Sequence, residues 1–192
     1  MRDETVICGG ETLAEGIVVK RPGILASPVI SRHVDNIILV AEQHLKWAVG
    51  TLVEQQRIVA EGAGAAGIAA IYAWPDLFAG QKVGVVICGG NIDTRLVGSI
   101  LNRKMMSDDR LVRVRINISD EPGMLAAISV SIGQCGGNIV EIYQQRMFFD
   151  VPAKLTKMDA VIDTRGANYA EEIVHALKDR GFSVTIIKEK ST

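Results

Sequence analysis

The chain has 192 residues, of which 48% are apolar and 5% aromatic, so it is long enough for one large core or two small ones. Its 21 basic and 22 acidic side chains nearly cancel, which predicts no partner among nucleic acids or anionic membranes. Three widely spaced cysteines without a Cys-x-x-Cys pair, and the lack of any long apolar run, predict a reduced, cytoplasmic protein with no metal site and no membrane span.

Helix and strand patterns alternate from about residue 28 to residue 109. The spacing predicts strands over 36–40, 57–60 and 83–88, and it predicts helices over 28–34, over 41–56, from 61 onward and from 91 onward. The strands lack polar alternation, which is typical of a parallel sheet covered on both faces. Ligands of such sheets bind beyond the carboxyl ends of the strands, so the loops 61–64 and 88–93 are candidate sites.

The second of these loops carries two consecutive glycines, Gly89 and Gly90. Glycine allows positive φ and lets another molecule approach the backbone closely. Asn91 or Asp93 is the expected cap of the helix that follows. The alternative is a plain strand-to-helix turn, because paired glycines after a strand also form one.

The pattern changes after the hydrophilic segment 107–110. Apolar and polar residues alternate over 112–118, which predicts a strand with one buried and one wet face. A helix follows, with Pro122 in its first turn, and Gly136-Gly137 ends it. Strands over 138–147 and 158–164, a helix over 168–180 and a strand over 183–188 complete the chain.

The order β-α-β-β-α-β is that of a ferredoxin-like domain. Asn168 and Glu171 are spaced as a capping box for its last helix, and Gly181 is the expected stop. We place the domain boundary near residue 109, which gives domains 1–109 and 110–192.

Residues 111–188 resemble an ACT domain, a small regulatory module that commonly pairs and binds amino acids at its interfaces. The resemblance depends on Asp-Glu-Pro-Gly-Met-Leu at 120–125 and Gly-Asn-Ile at 137–139. The preceding part resembles the C-terminal end of the threonine ammonia-lyase (threonine dehydratase) family, which are fold-type-II pyridoxal-phosphate enzymes. Its matching motifs lie at 11–17, 19–23, 61–64 and 88–93. The implied fold is α/β: part of a fold-type-II domain with a parallel sheet, followed by a βαββαβ ACT domain.

The resemblance implies pyridoxal 5'-phosphate as cofactor, and it implies six residues near that cofactor: Gly16, Glu61, Cys88, Gly89, Gly90 and Asn91. Cys88 stands where family members commonly have Ser or Thr, beside the pyridine nitrogen. A neutral thiol there does not hold the nitrogen protonated as a carboxylate would, which suits β-elimination. The alternatives are that Cys88 is a buried small hydrophobe and that Glu61 is only a charge at a helix N-terminus.

The ACT resemblance implies a homodimer or higher oligomer and an amino-acid effector, isoleucine or valine. We expect the effector at the turn holding Asp120, Gly123, Met124 and Leu125, and at a facing turn holding Asn138 and Ile139. Gly123 leaves the amides at a helix start uncovered, and such amides attract a carboxylate. The alternative is that Gly123 only eases helix packing.

Arg113 and Arg115 have three open interpretations: they meet an anionic effector, they meet a partner strand, or they lie on an exposed sheet face.

The sequence lacks two family motifs. None of its nine lysines follows a phenylalanine, and none of its three glycine pairs extends into a glycine-rich phosphate loop. The cofactor-binding lysine is the family's main acid, base and covalent group, so we expect the chain alone to lack catalytic residues. Either this is a shortened form of the enzyme, or another chain supplies the N-terminal half.

Two functional classes follow. The chain is the C-terminal part of a threonine ammonia-lyase, which converts L-threonine to 2-oxobutanoate and ammonia in isoleucine biosynthesis or threonine catabolism. Alternatively, it is a stand-alone amino-acid-binding ACT protein with a remnant catalytic scaffold. A dinucleotide-binding module is disfavoured because residues 88–91 lack the Gly-x-Gly-x-x-Gly spacing.

Overall fold

The fold is that of a computed structural model, which describes residues 10–19, 21, 23–119, 121–145 and 155–187. The chain divides into two compact units, Met1–Leu101 and Asn102–Thr192. The junction falls inside the helix Thr94–Ser107, so one continuous helix belongs to both units. Each unit has its own cluster of buried apolar side chains.

Helices make up the regular structure in the described part of the first unit. A 3-10 turn at Glu15–Ile17 is followed by α1 (Ala26–His33), α2 (Glu42–Thr51) with a π turn at Leu52–Gln56, α3 (Gly62–Ala73), α4 (Pro75–Phe78) and α5 (Thr94–Ser107). The helical spacing predicted for 41–56 is confirmed, since Leu45, Ala48 and Val49 are buried. Their cluster includes Ala65 and Ala69 of α3, whose small side chains let the two helices pack closely.

The three segments predicted as parallel strands, 36–40, 57–60 and 83–88, carry no strand pairing. The predicted parallel sheet is therefore not formed within the described residues, and this part of the interpretation is corrected. β-branched sequences favour a pleated surface, but only a hydrogen-bonded neighbour makes a strand. Six large apolar side chains of these segments are exposed: Ile37, Leu39, Ile58, Val59, Val83 and Val86.

The second unit is a four-stranded antiparallel sheet with two helices. Its elements are β1 (Leu111–Ser119), α6 (Met124–Gln134), β2 (Asn138–Gln145), β3 (Leu155–Asp163), α7 (Ala167–Asp179) and β4 (Ser183–Ile187), and the sheet order is β2-β3-β1-β4. The predicted ferredoxin-like order is confirmed. The predicted alternation of β1 is confirmed too, because Val112, Val114, Ile116 and Ile118 are buried and lie in one core with side chains of both helices.

Two helix starts differ from the sequence interpretation. Helix α7 begins after Gly166, and no side chain caps it, so the predicted capping box of Asn168 and Glu171 does not form. Helix α6 begins at Met124, two residues after Pro122. Its N-cap is Gly123 with φ of 91°, a left-handed conformation that glycine adopts without strain.

Candidate cofactor site

Glu61 lies where two loops of the first unit meet. Its main-chain N–H donates a hydrogen bond to the carbonyl of Gly89 at 3.1 Å. A Cβ atom at Gly89 would lie 2.5 Å from Glu61 Oε1, and one at Gly16 would lie 2.6 Å from the same oxygen. The Glu61 carboxylate therefore occupies the space beside both glycines, and neither glycine has room for a side chain.

Glycines in the first turns of α3 let the helix pack closely against the segments that carry Leu13 and Cys88. A Cβ atom at Gly64 would overlap the carbonyl oxygen of Cys88, and one at Gly62 would overlap the carbonyl of Leu13. A Cβ atom at Gly67 would lie 2.7 Å from Val85 Cγ1. The three have the spacing Gly-x-Gly-x-x-Gly, which the sequence analysis missed. Because these glycines lack a Cβ atom, they allow close packing, and they do not form a phosphate-binding loop.

The turn after residue 88 is open on one side. Cys88 is exposed, which contradicts the alternative that it is a buried small hydrophobe. Gly89 has φ of 72°, so the turn requires glycine there. The nearest atom to a Cβ at Gly90 is the Val59 carbonyl oxygen at 3.4 Å, and Asn91 is exposed.

Of the two predicted caps for α5, Asp93 is the one that forms. Its Oδ1 accepts hydrogen bonds from the main-chain N–H groups of Arg95 at 2.8 Å and Leu96 at 3.2 Å. This cap fixes where the exposed turn ends and the helix begins.

Glu61 is the N-cap residue of α3, but its side chain makes no cap hydrogen bond. The alternative that its carboxylate serves only the helix N-terminus is therefore not supported by a capping contact. The carboxylate lies against Gly16 and Gly89 instead.

No sequence pattern indicated Glu42, which positions the segment that carries Gly16. Its carboxylate accepts hydrogen bonds from the Thr12 hydroxyl and, at 3.0 Å, from the Leu13 N–H. The Thr12 Oγ1 in turn accepts from the Ala14 N–H at 3.1 Å. These bonds tie residues 12–14 to the start of α2 and so hold the next residues against Glu61.

The two halves of the expected effector site lie at opposite ends of the sheet. Asn138 pairs with Asp163, which pairs with Leu111 at the start of β1, whereas Ser119 at the end of β1 leads into the turn holding Gly123. The prediction that these turns face each other is therefore wrong within one chain. Leu125 is 43% exposed in the first turn of α6, and Asp120 lies outside the described residues.

Arg113 and Arg115 share a carboxylate that the sequence analysis did not single out. Asp159 is only 7% exposed. Its Oδ2 accepts from Arg113 Nη2 at 2.6 Å, and its Oδ1 accepts from Arg115 Nε at 2.7 Å. The hydrogen bond from Arg115 lowers the pKa of Asp159 from its ordinary value, burial opposes this, and the bond from Arg113 adds to it.

The described residues contain neither a membrane-spanning helix nor a candidate metal site. None of the helices they form is long and apolar enough to cross a bilayer. Within the same ranges, His, Cys, Asp and Glu side chains form no group of three or more that could hold a metal ion.

Comparison with known proteins gives one match within the first unit and others over most of the chain. Residues 2–89 match the family described as pyridoxal-phosphate dependent enzyme. The chain is 35% identical over 179 residues to L-threonine ammonia-lyase of Thermotoga maritima, a match that covers 93% of this chain and 44% of that protein. It is 31% identical over 177 residues to L-threonine ammonia-lyase of Geobacter sulfurreducens, covering 92% of this chain and 44% of that protein.

Two solved structures show more distant likeness. Serine racemase from Dictyostelium discoideum is 35% identical with a TM-score of 0.40, covering 44% of this chain and 28% of that one. The regulatory subunit of aspartate kinase from Thermus thermophilus is 20% identical with a TM-score of 0.31, covering 40% of this chain and 49% of that one.

Residues 2–89 are thus similar to the pyridoxal-phosphate dependent enzyme family, and a ferredoxin-like unit follows them. The chain is threonine ammonia-lyase-like and corresponds to the C-terminal part of those relatives, which confirms the resemblance found in the motifs. It spans 44% of the length of each of these two relatives.

Proposed function

We propose that this chain forms the ring side of the cofactor site in a pyridoxal-phosphate dependent threonine ammonia-lyase, which converts L-threonine to 2-oxobutanoate and ammonia. The observation that supports this proposal is that the Glu61 carboxylate lies against both Gly16 and Gly89. Those residues come from three separate motifs of the family resemblance, and one side chain brings them together. The names of the two threonine ammonia-lyase relatives support the substrate.

The residues at this turn fit one edge of a pyridoxal group. Gly90 leaves bare backbone beside the exposed Cys88, so a flat ring has room to approach. When bound, the cofactor supplies an electron sink for the carbanion formed at the substrate α-carbon. The Cys88 thiol contributes a neutral partner to the ring edge, and a neutral partner leaves that sink weaker than a carboxylate would.

The lysine that holds the cofactor covalently and the glycine-rich phosphate loop are absent from the 192 residues. We propose that a further segment, in the same protein or in a partner chain, supplies both. The part played by this chain is then to orient the ring through Cys88 and Gly89 and to hold Glu61 beside it.

A chimera tests this function directly. The segment of the Thermotoga maritima relative that matches this chain is replaced by this chain, and formation of 2-oxobutanoate from threonine is measured. We expect deamination, and we expect the same chimera with Cys88→Asp to lose at least about tenfold in kcat while still binding the cofactor. A chimera that folds and binds the cofactor but deaminates no threonine would overturn the proposal.

We further propose that the second unit binds an amino-acid effector, isoleucine or valine, between two copies. Strand β2 is at one edge of the sheet. If two β2 strands pair antiparallel about a two-fold axis, the Asn138 end of one copy comes beside the opposite end of β2 in the other. Helix α6 contacts β2, and its start, with Gly123, lies at that opposite end. Pairing therefore brings together the two turns that one chain keeps apart.

The effector site is tested with a charge at the helix start. Leu125→Glu places a carboxylate in the first turn of α6, where the helix dipole tolerates it but an effector carboxylate is repelled. The matched control is Val130→Glu, at an exposed position later in the same helix. We expect isoleucine or valine to bind the native chain and the control alike and to bind Leu125→Glu about tenfold more weakly. Equal binding to all three proteins, or to none, would show that the turn is not the site.

A further inference from the structure

The segment 12–16 is a strap that lies against the starts of two helices of the first unit. At the start of α2, the Glu42 Oε2 accepts a hydrogen bond from the Leu13 N–H at 3.0 Å. At the start of α3, Gly62 lies so close to the Leu13 carbonyl that an added Cβ atom would overlap it. Residues of both helices belong to one buried apolar cluster, so the two starts form a common frame for the strap.

Glu42 holds the strap through both oxygens of its carboxylate. Besides the bond to Oε2, its Oε1 accepts a hydrogen bond from the Thr12 hydroxyl. Thr12 Oγ1 accepts from the Ala14 N–H at 3.1 Å, and the Ala14 carbonyl accepts from the Ile17 N–H at 3.0 Å. This last bond closes the 3-10 turn that carries Gly16. Because hydrogen bonds to a carboxylate are roughly twice as strong as those between neutral groups, Glu42 is a firm anchor for that turn.

The strap confines the carboxylate of Glu61. A Cβ atom at Gly16 would lie 2.6 Å from Glu61 Oε1, and one at Gly89 would lie 2.5 Å from the same oxygen. The carboxylate is therefore enclosed between the strap and the turn after residue 88. It makes no cap hydrogen bond to α3, so the helix start does not fix it. If the strap moved away, this side chain would gain rotamers, and a ligand that needs it in one place would bind more weakly.

We propose that Glu42 is a positioning residue of the cofactor site. Through the strap it keeps Gly16 against Glu61, and so it holds the Glu61 carboxylate beside the position of the pyridoxal ring before the cofactor binds. The inference rests on the proposed function, in which Glu61 lies beside that ring. Releasing the strap frees one side chain that binding must then order, which corresponds to an affinity for pyridoxal phosphate that is about fivefold weaker.

Three variants change the anchor of the strap. Glu42→Gln keeps the size of the side chain but leaves one acceptor oxygen for two donors, the Thr12 hydroxyl and the Leu13 N–H. Thr12→Val keeps the shape of the strap and removes the hydroxyl. Thr12→Ser keeps the hydroxyl, so it is the conservative control.

Amide hydrogen exchange on the isolated chain tests the anchor without any cofactor. In Glu42→Gln we expect the Leu13 and Ala14 amides to exchange at least about tenfold faster than in the native chain. The Glu61 amide should be unchanged, because its hydrogen bond to the Gly89 carbonyl does not involve the strap. Equal acceleration of all three amides would show that Glu42 serves only global stability and would overturn the proposal. Unchanged exchange at Leu13 and Ala14 would overturn it too.

Cofactor binding is measured in the chimera with the Thermotoga maritima relative, by fluorescence titration with pyridoxal phosphate. We expect Glu42→Gln and Thr12→Val each to raise the dissociation constant about fivefold, while Thr12→Ser matches the native chimera. Ile100→Val controls for stability, since it removes one methyl group from the buried core of the first unit and leaves the strap intact. An unchanged dissociation constant in Glu42→Gln, or an equal loss in Ile100→Val, would overturn the proposal.

A double-mutant cycle tests whether Glu42 acts through Glu61. In a chimera that already carries Glu61→Ala there is no carboxylate to confine, so adding Glu42→Gln should not weaken binding further. Losses that simply multiply would overturn this route. A native chimera that binds no pyridoxal phosphate would overturn the proposed function and this inference together. If the native chimera binds and Glu42→Gln binds equally well, only the inference about Glu42 is overturned.

Discussion

Glu61 and Gly89 are joined by a main-chain hydrogen bond, and the Glu61 side chain also lies against Gly89. The Glu61 N–H donates to the Gly89 carbonyl at 3.1 Å, and the Glu61 carboxylate fills the space where a Gly89 side chain would be. Two candidate loops that lie 28 residues apart in sequence are therefore in direct contact.

The close contact between Gly64 and the Cys88 carbonyl predicts that replacing this helical glycine with alanine lowers stability. Gly64→Ala should destabilise the chain by about 2 kcal/mol, because the added methyl group would overlap the Cys88 carbonyl oxygen, a backbone atom that cannot rotate away. Helix propensity alone predicts the opposite sign, since alanine is favoured over glycine by about 1 kcal/mol inside a helix. Denaturant unfolding measures the difference.

Gly98→Ala is the matched control. Gly98 is in α5, is exposed, and has nothing within 4 Å of a Cβ position. We expect this variant to be more stable than the native chain by about 0.5–1 kcal/mol. If both variants shifted stability in the same direction, the tight contact at Cys88 would be disproved.

The second unit was the more predictable half because its signals are local. Alternation along β1 and the glycine stops of α6 and α7 depend only on neighbouring residues. The capping box failed since Gly166, two residues before Asn168, already starts α7. Asp159 could not be singled out from the sequence, because its partners lie on β1, 44 and 46 residues away along the chain.

The first unit was less predictable for a physical reason. Apolar runs at 36–40 and 83–88 indicate that a strand would be buried, but they do not supply the neighbour with which it must pair. The contact of Glu61 with Gly16 was likewise beyond local patterns, since it joins residues 45 positions apart. Family motifs indicated Gly16, Glu61 and Gly89 as candidates without the geometry that joins them.

The isolated chain should show no threonine deamination. Its lysines include none in the family's cofactor-binding motif, so the main acid and base of the reaction is absent. The measurement is formation of 2-oxobutanoate with saturating threonine and pyridoxal phosphate. Turnover above background that persists through repurification would contradict this expectation.

The second unit should associate through β2. The strand is an edge strand, and unpaired edges invite pairing with another chain. Ile142 lies near the middle of β2, so a two-fold axis there brings each Ile142 close to its own copy. Ile142→Lys should therefore weaken the dimer about tenfold through like-charge repulsion.

Light scattering against concentration measures this association. The control is Thr185→Lys on β4, the opposite edge strand, and it should leave the dimer unchanged. A native chain that stays monomeric at high concentration, or equal effects of the two lysines, would remove β2 as the interface.

Asp159 should make stability depend on pH in acid. The hydrogen bond from Arg115 is the largest of the causes that lower its pKa from the ordinary value of 3.8, and burial works against it. A carboxylate with a lowered folded-state pKa contributes stability that is fully present above its unfolded pKa. That contribution is lost as the pH falls through the folded pKa, because the unfolded state binds protons first.

Asp159→Asn removes this contribution. Near neutral pH the variant should be less stable than the native chain by about 2 kcal/mol, a value between those of exposed and buried ion pairs because both arginines are more than 40% exposed. The two free energies of unfolding should converge as the pH is lowered from about 5 to about 2. Asp179→Asn, at an exposed position on α7, is the control and should follow the native curve. A constant difference between Asp159→Asn and the native chain at every pH would show that Asp159 contributes packing rather than charge.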